Sequence, residues 1–124
     1  MITANFSYDN KSGSLHMVMS GHSQVCPKGH DIICAGASTL AASLGSAILQ
    51  MWDHDMLEDC PVLDVKEGFA DIVAIPKEAY REAVQLVFWV IENGVGIMAN
   101  SFPENVTLAS VMVVDNDTEE EASA

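Results

Sequence analysis

Residues 2–8 alternate without interruption: Ile2, Ala4, Phe6 and Tyr8 are apolar, and Thr3, Asn5 and Ser7 between them are polar. A period of two sends successive side chains to opposite faces of a strand, so this segment reads as a half-buried strand. Asp9-Asn10-Lys11-Ser12-Gly13 is a cluster of turn residues. Beyond it Leu15, Met17 and Met19 alternate with His16, Val18 and Ser20, which gives the partner strand of a hairpin.

The rest of the chain is punctuated as clearly. Residues 21–31 contain Gly21, Pro27 and Gly29 and are expected to form a loop. From residue 32 to about residue 52 there is no proline, and alanine, leucine and serine predominate. That predicts a helix with Asp31 as its N-cap. Its Ala35, Gly36, Ala37, Ala41, Ala42 and Gly45 leave room for other backbones to approach. An acidic connector, Asp53-His54-Asp55-Met56-Leu57-Glu58-Asp59, follows. Residues 62–66 and 69–75, joined by Glu67-Gly68, predict a second hairpin. Pro76 suits the first turn of a second helix. That helix is expected to reach Glu92 and to continue, weakened by Gly94 and Gly96, to Asn100. Ser101-Phe102-Pro103 ends it, and residues 106–114 form a last strand.

The order ββαββαβ predicts an α+β sandwich, a mainly antiparallel sheet packed against two long helices, as one domain over residues 1–114. Residues 115–124 carry Asp115, Asp117, Glu119, Glu120 and Glu121 without an aromatic residue, and are expected to be a disordered acidic tail.

Of the 124 residues 49% are hydrophobic and 19% charged, which excludes wholesale disorder and supports one core. The polar surface is modest, so a second copy of the chain is a candidate to cover some apolar area. The net charge of −13 repels phosphates, so nucleic acid is not an expected direct partner. The same charge attracts basic proteins at low salt, although keeping the protein soluble is the simpler account of it. No basic start precedes an apolar run, and no unbroken apolar segment approaches the roughly 20 residues that span a bilayer. Neither a signal peptide nor a membrane span is therefore expected, and the cytoplasm is the expected location. The three cysteines, Cys26, Cys34 and Cys60, cannot all pair within one chain, so thiols are the default.

Chemistry concentrates around residues 21–38. With Asp31 as N-cap, Cys34 falls in the first turn of a helix, where the positive end of the helix dipole favours a negative charge. Thiolate is the nucleophilic form of cysteine. His22 lies upstream across a loop with a glycine at both ends, and such a loop can fold back to bring an imidazole beside the thiol. Nucleophile and base together are the minimum for covalent acyl transfer, and the helix N-terminus offers an oxyanion site. A small buried Cys34 and a surface His22 would have the same spacing. A further reading takes His22, Cys26, His30 and Cys34 as a structural zinc set, against which Pro27, Gly29 and the irregular ligand spacing speak. Asp31 either orients His22 or only caps the helix, and the cap explains its position. Ser38 follows Cys34 by one turn and can face the same site or bond its own helix. His16, His54 and Cys60 read as structural or incidental.

Gly21-His22, followed by Asp31-Ile32-Ile33-Cys34-Ala35 running into Ser38 and Leu40, resembles the signature of the ribosomal-processing cysteine proteases (Prp, or YsxB-like proteins). The two hairpins, the long helix ending near Phe102-Pro103 and the last strand also fit, so the likeness covers roughly residues 2–111. The resemblance implies a cofactor-free Cys–His protease working as a homodimer, with Cys34 as nucleophile and His22 as base. Gly21, Asp31 and Ser38 would support the site. Family members remove a short N-terminal extension from a large-subunit ribosomal protein, cutting after a hydrophobic segment with paired phenylalanines. Ser23 departs from the alanine usual after Gly-His, Cys26 and His30 lie outside the motif, and the acidic tail is additional. Two rival functions remain: a non-enzymatic homodimer that binds a basic ribosomal partner, and a diverged protease acting on another protein.

Overall fold

A computed structural model describes residues 1–21 and 32–113. The strands are β1 (Ile2–Asp9), β2 (Leu15–Gly21), β3 (Val62–Lys66), β4 (Phe69–Ala74) and β5 (Val106–Val113), and the helices are α1 (Ile32–Asp53) and α2 (Arg81–Ser101). The sheet runs β3-β4-β2-β1-β5. Three of its pairings are antiparallel, and β1 with β5 is parallel. The ββαββαβ order and the mainly antiparallel sheet match the sequence reading.

The alternation that starts the chain sets the layers. Phe6 stands opposite Met17, and Met17 opposite Ile72, so buried side chains line up across three strands on one face. Both helices lie on that face. α1 contributes Ile33, Ala37, Ala41, Leu44 and Ile48, and α2 contributes Val84, Phe88, Ile91 and Val95. By length and composition both helices are apolar enough to cross a bilayer, which a search for unbroken apolar runs does not reveal. Here their inward stripes form the core. The outer face of the sheet carries Thr3, Asn5, Ser7, His16 and Asp71, all at least partly exposed.

The helices are antiparallel and close. A Cβ on Gly94 would come within 2.9 Å of Leu40 Cδ2, and one on Gly36 within 3.3 Å of Met98 Cε. Gly94, which weakens α2 on propensity, therefore serves its packing, and the helix runs unbroken past Gly94 and Gly96 to Ser101. On its other side α2 is tied to the sheet: the Tyr8 hydroxyl donates to Glu92 Oε1 at 2.6 Å, and Ser110 Oγ donates to the same oxygen at 3.0 Å. Burial, reinforced by the Glu92 carboxylate, pushes the Tyr8 phenol well above its usual range.

Pro76 does not open α2. It forms a bridge with Leu57, and the Lys77 N–H donates to the Met56 carbonyl at 2.9 Å, so the chain stays extended through Lys77. A 3-10 turn over residues 78–80 then leads into Arg81. Proline holds the residue before it extended, and its ring suits an edge bridge as well as a first helical turn.

Candidate functional site

Cys34 is half-buried in the first turn of α1, as the sequence predicted. Its end of the molecule can be traced through neighbours. Gly36 packs on Met98 near the end of α2, and the Phe102 N–H donates to the Met98 carbonyl. The Asn105 N–H donates to the Phe102 carbonyl, and the Ile2 N–H to the Asn105 carbonyl. Ile2 in turn stands opposite Gly21. The first turn of α1, the end of α2, the start of β1 and the end of β2 therefore share one end of the fold.

Gly21 is held from two sides there. Its N–H donates to the Gly68 carbonyl at 3.0 Å, in the turn between β3 and β4. Its φ of 104° belongs to glycine, and a Cβ would overlap the Met1 carbonyl oxygen. The last residue of β2 is thus fixed in its backbone conformation. His22 and Asp31, the expected base and cap, lie outside the described residues, as do Cys26 and His30 of the zinc reading. The expected 21–31 loop is described only at Gly21, and the expected tail at residues 115–124 is likewise outside them.

Helical periodicity gives Cys34 a flank. A Cβ on Gly45 would lie 3.4 Å from Val65 Cγ2 and 3.7 Å from Ile72 Cδ1, so that side of α1 faces β3 and β4. Cys34 precedes Gly45 by about three full turns and shares this flank. Ser38, exposed, follows Cys34 by one turn on the same side. A groove of about 820 Å³ starts at Ser38 and follows the outward face of α1 past Ala42, Ser46 and Gln50 to His54. The turn carrying Gly68 is the neighbour that sequence reasoning missed, because only long-range pairing brings it to Gly21. The flank itself was legible, since Cys34, Ser38 and Gly45 recur at helical spacing.

Glu67, beside Gly68, and Glu104, beside Asn105, share the Cys34 end, whereas the described histidines and the other described cysteine stand elsewhere. His16 Nε2 is 2.6 Å from Asp71 Oδ1 on the outer sheet face. His54 Nδ1 is 2.8 Å from the Gln50 carbonyl at the end of α1, and Cys60 is an exposed thiol in the connector. Acidic groups gather at the end opposite Cys34. Asp53 ends α1 and Asp55, Glu58 and Asp59 follow it, with Lys77 Nζ 2.8 Å from Asp55 Oδ1 and its charge also felt by Glu58. That contact holds the Lys77 ammonium above its usual range. No group of acidic, His or Cys side chains among the described residues is arranged to hold a metal.

The family model described as cysteine protease Prp matches residues 1–107. The fold is similar to that of SMU.848 from Streptococcus mutans, at 28% identity and a TM-score of 0.65 over 90% of this chain and 95% of that one. It is also similar to an essential ribosomal processing protease Prp from S. aureus. The complex of that protease with a covalently linked product peptide gives 22% identity and a TM-score of 0.67, over 89% of this chain and 99% of that one. Its complex with a substrate peptide gives 21% and 0.63 over the same shares. No curated protein matches.

Proposed function

Because the chain belongs to the cysteine protease Prp family, we propose that it removes a short N-terminal extension from a large-subunit ribosomal protein by a Cys–His mechanism. The observation that carries this reading is Cys34 in the first turn of α1, at the same end of the fold as Gly21, the last residue of β2. The Cys34 thiol gives its proton to the His22 imidazole, and the sulfur attacks the scissile carbonyl. The positive end of α1 stabilises the oxyanion. Collapse expels the amine, which takes the proton from His22, and leaves a thioester on Cys34. Water attacks that thioester with His22 again as base, releasing the acid and restoring the thiol. Asp31 and Ser38 support the pair.

Two further features accompany the reading. The outward stripe of α2, with Leu86, Trp89, Val90 and Ile97 exposed and uncharged, meets a second copy of the chain. Beyond Glu82 in the first turn of α2 the stripe carries no charge, on a molecule of net charge −13, so like-charge repulsion between two copies is weak there. The acidic end away from Cys34 recruits the basic body of the substrate.

The test mixes the protein with the source organism's extended ribosomal protein and reads intact masses, with Cys34→Ala alongside. One N-terminal mass loss, absent in the variant and slower at higher salt, is the expected result. Intact substrate throughout, or equal cutting by Cys34→Ala, sinks the reading. A rate indifferent to salt removes the electrostatic recruitment alone.

A further inference from the structure

The two edge strands of the sheet, among the described residues, are β3 and β5. An edge presents a row of N–H and C=O groups without ladder partners, and an extended peptide can add to it as one more strand. The two edges stand differently toward Cys34. β5 lies beyond β1 and adjoins α2, across the sheet from the thiol's flank. β3 lies beside the very flank of α1 that carries Cys34, Ser38 and Gly45, as the approach of Gly45 to Val65 fixes.

Along that border apolar side chains remain in water: Val65 is 42% exposed, Leu49 49% and Trp52 37%. Leu49 and Trp52 follow Gly45 by about one and two turns, so helical spacing puts them on the flank that faces β3 at Gly45 and carries Cys34 at its other end. The charges of β3 are matched within the hairpin. Lys66 Nζ is 3.7 Å from Asp64 Oδ2 and 5.3 Å from the centre of the Phe69 ring. What the edge offers a visitor is therefore backbone pairing and apolar contact.

We propose that the outer edge of β3, which has no ladder partner among the described residues, binds the substrate chain as an added strand together with the adjoining flank of α1 and delivers its scissile bond to Cys34. The proposal rests on the protease reading above. It also sets a length. Three helical turns from Gly45 to Cys34 span about 16 Å, which an extended chain covers in about five residues. The substrate therefore pairs with β3 beginning about five residues from the cut, and it presents apolar side chains there at alternate positions.

The test uses the full chain and two peptides taken around the cleavage site of the extended ribosomal protein. The long one reaches about ten residues to either side of the cut and the short one about three, which is too few to reach Val65. Leu49→Glu and Val65→Glu change exposed positions and keep the fold, as circular dichroism checks. Met112→Glu on β5 and Ser46→Glu in the α1 groove serve as comparisons. The unaltered protein is expected to favour the long peptide. Leu49→Glu and Val65→Glu should lower its kcat/KM about tenfold, mainly through KM, and leave the short peptide unaffected. Equal use of both peptides, or a loss confined to Met112→Glu or Ser46→Glu, overturns the proposal while cleavage itself upholds the protease reading. Failure of the unaltered protein to cut either peptide overturns both.

Discussion

Gly21 is where one residue decides most. Its φ of 104° disfavours any other residue by about 1–2 kcal/mol, and a Cβ would also collide with the Met1 carbonyl. Gly21→Ala is expected to lower the unfolding free energy by about 2 kcal/mol, read by urea denaturation. Unchanged stability would show that the start of β1 yields freely. The sequence marked Gly21 as a loop glycine and as part of a motif. Its physical role depends on Met1 and Gly68, which reach it through pairings that no local pattern encodes. Cys34 was more legible, because a helix N-terminus is announced locally by the end of a glycine- and proline-containing loop and the start of an unbroken run.

Among the elements, α2 shows how packing redistributes propensity. Gly94 and Gly96 carry the same intrinsic cost in a helix, about 1 kcal/mol each relative to alanine. Their surroundings differ. A methyl on Gly96 would lie 3.7 Å from Leu108 Cδ2, an ordinary contact, whereas on Gly94 it would press three atoms of Leu40 from 2.9 Å. Gly96→Ala is therefore expected to stabilise by about 1 kcal/mol, and Gly94→Ala to gain nothing or lose about 1–2 kcal/mol as Leu40 is displaced. Urea melts of both variants check this, and equal gains would mean that the helices separate at little cost. The hairpins and α1 were readable because period-two alternation, turn residues and proline-free runs are local signals. The start of α2 was not. Pro76 is compatible with a first helical turn and with an edge bridge, and only its pairing with Leu57 selects the bridge.

At the scale of the whole molecule, α2 turns an apolar stripe outward while the acids at and after the end of α1 stand away from Cys34. Self-association through α2 predicts a two-chain mass in sedimentation equilibrium and a one-chain mass for Val90→Glu, whose side chain is 62% exposed and outside the core. A one-chain mass for the unaltered protein at all concentrations would remove the dimer. Strand order belongs to this scale too, and the sequence did not display it, since β5 could have closed on either edge of the hairpins. It closes in parallel on β1, where Thr107 meets Thr3 across 104 residues of chain. Both hairpins, and the pairing of β2 with β4, can be made from residues 1–74 alone. Among the described strands β5 is the last to be synthesised. Until β5 is made, β1 is an edge of the sheet among the described strands, and no pause in translation before β5 can yield the five-stranded sheet.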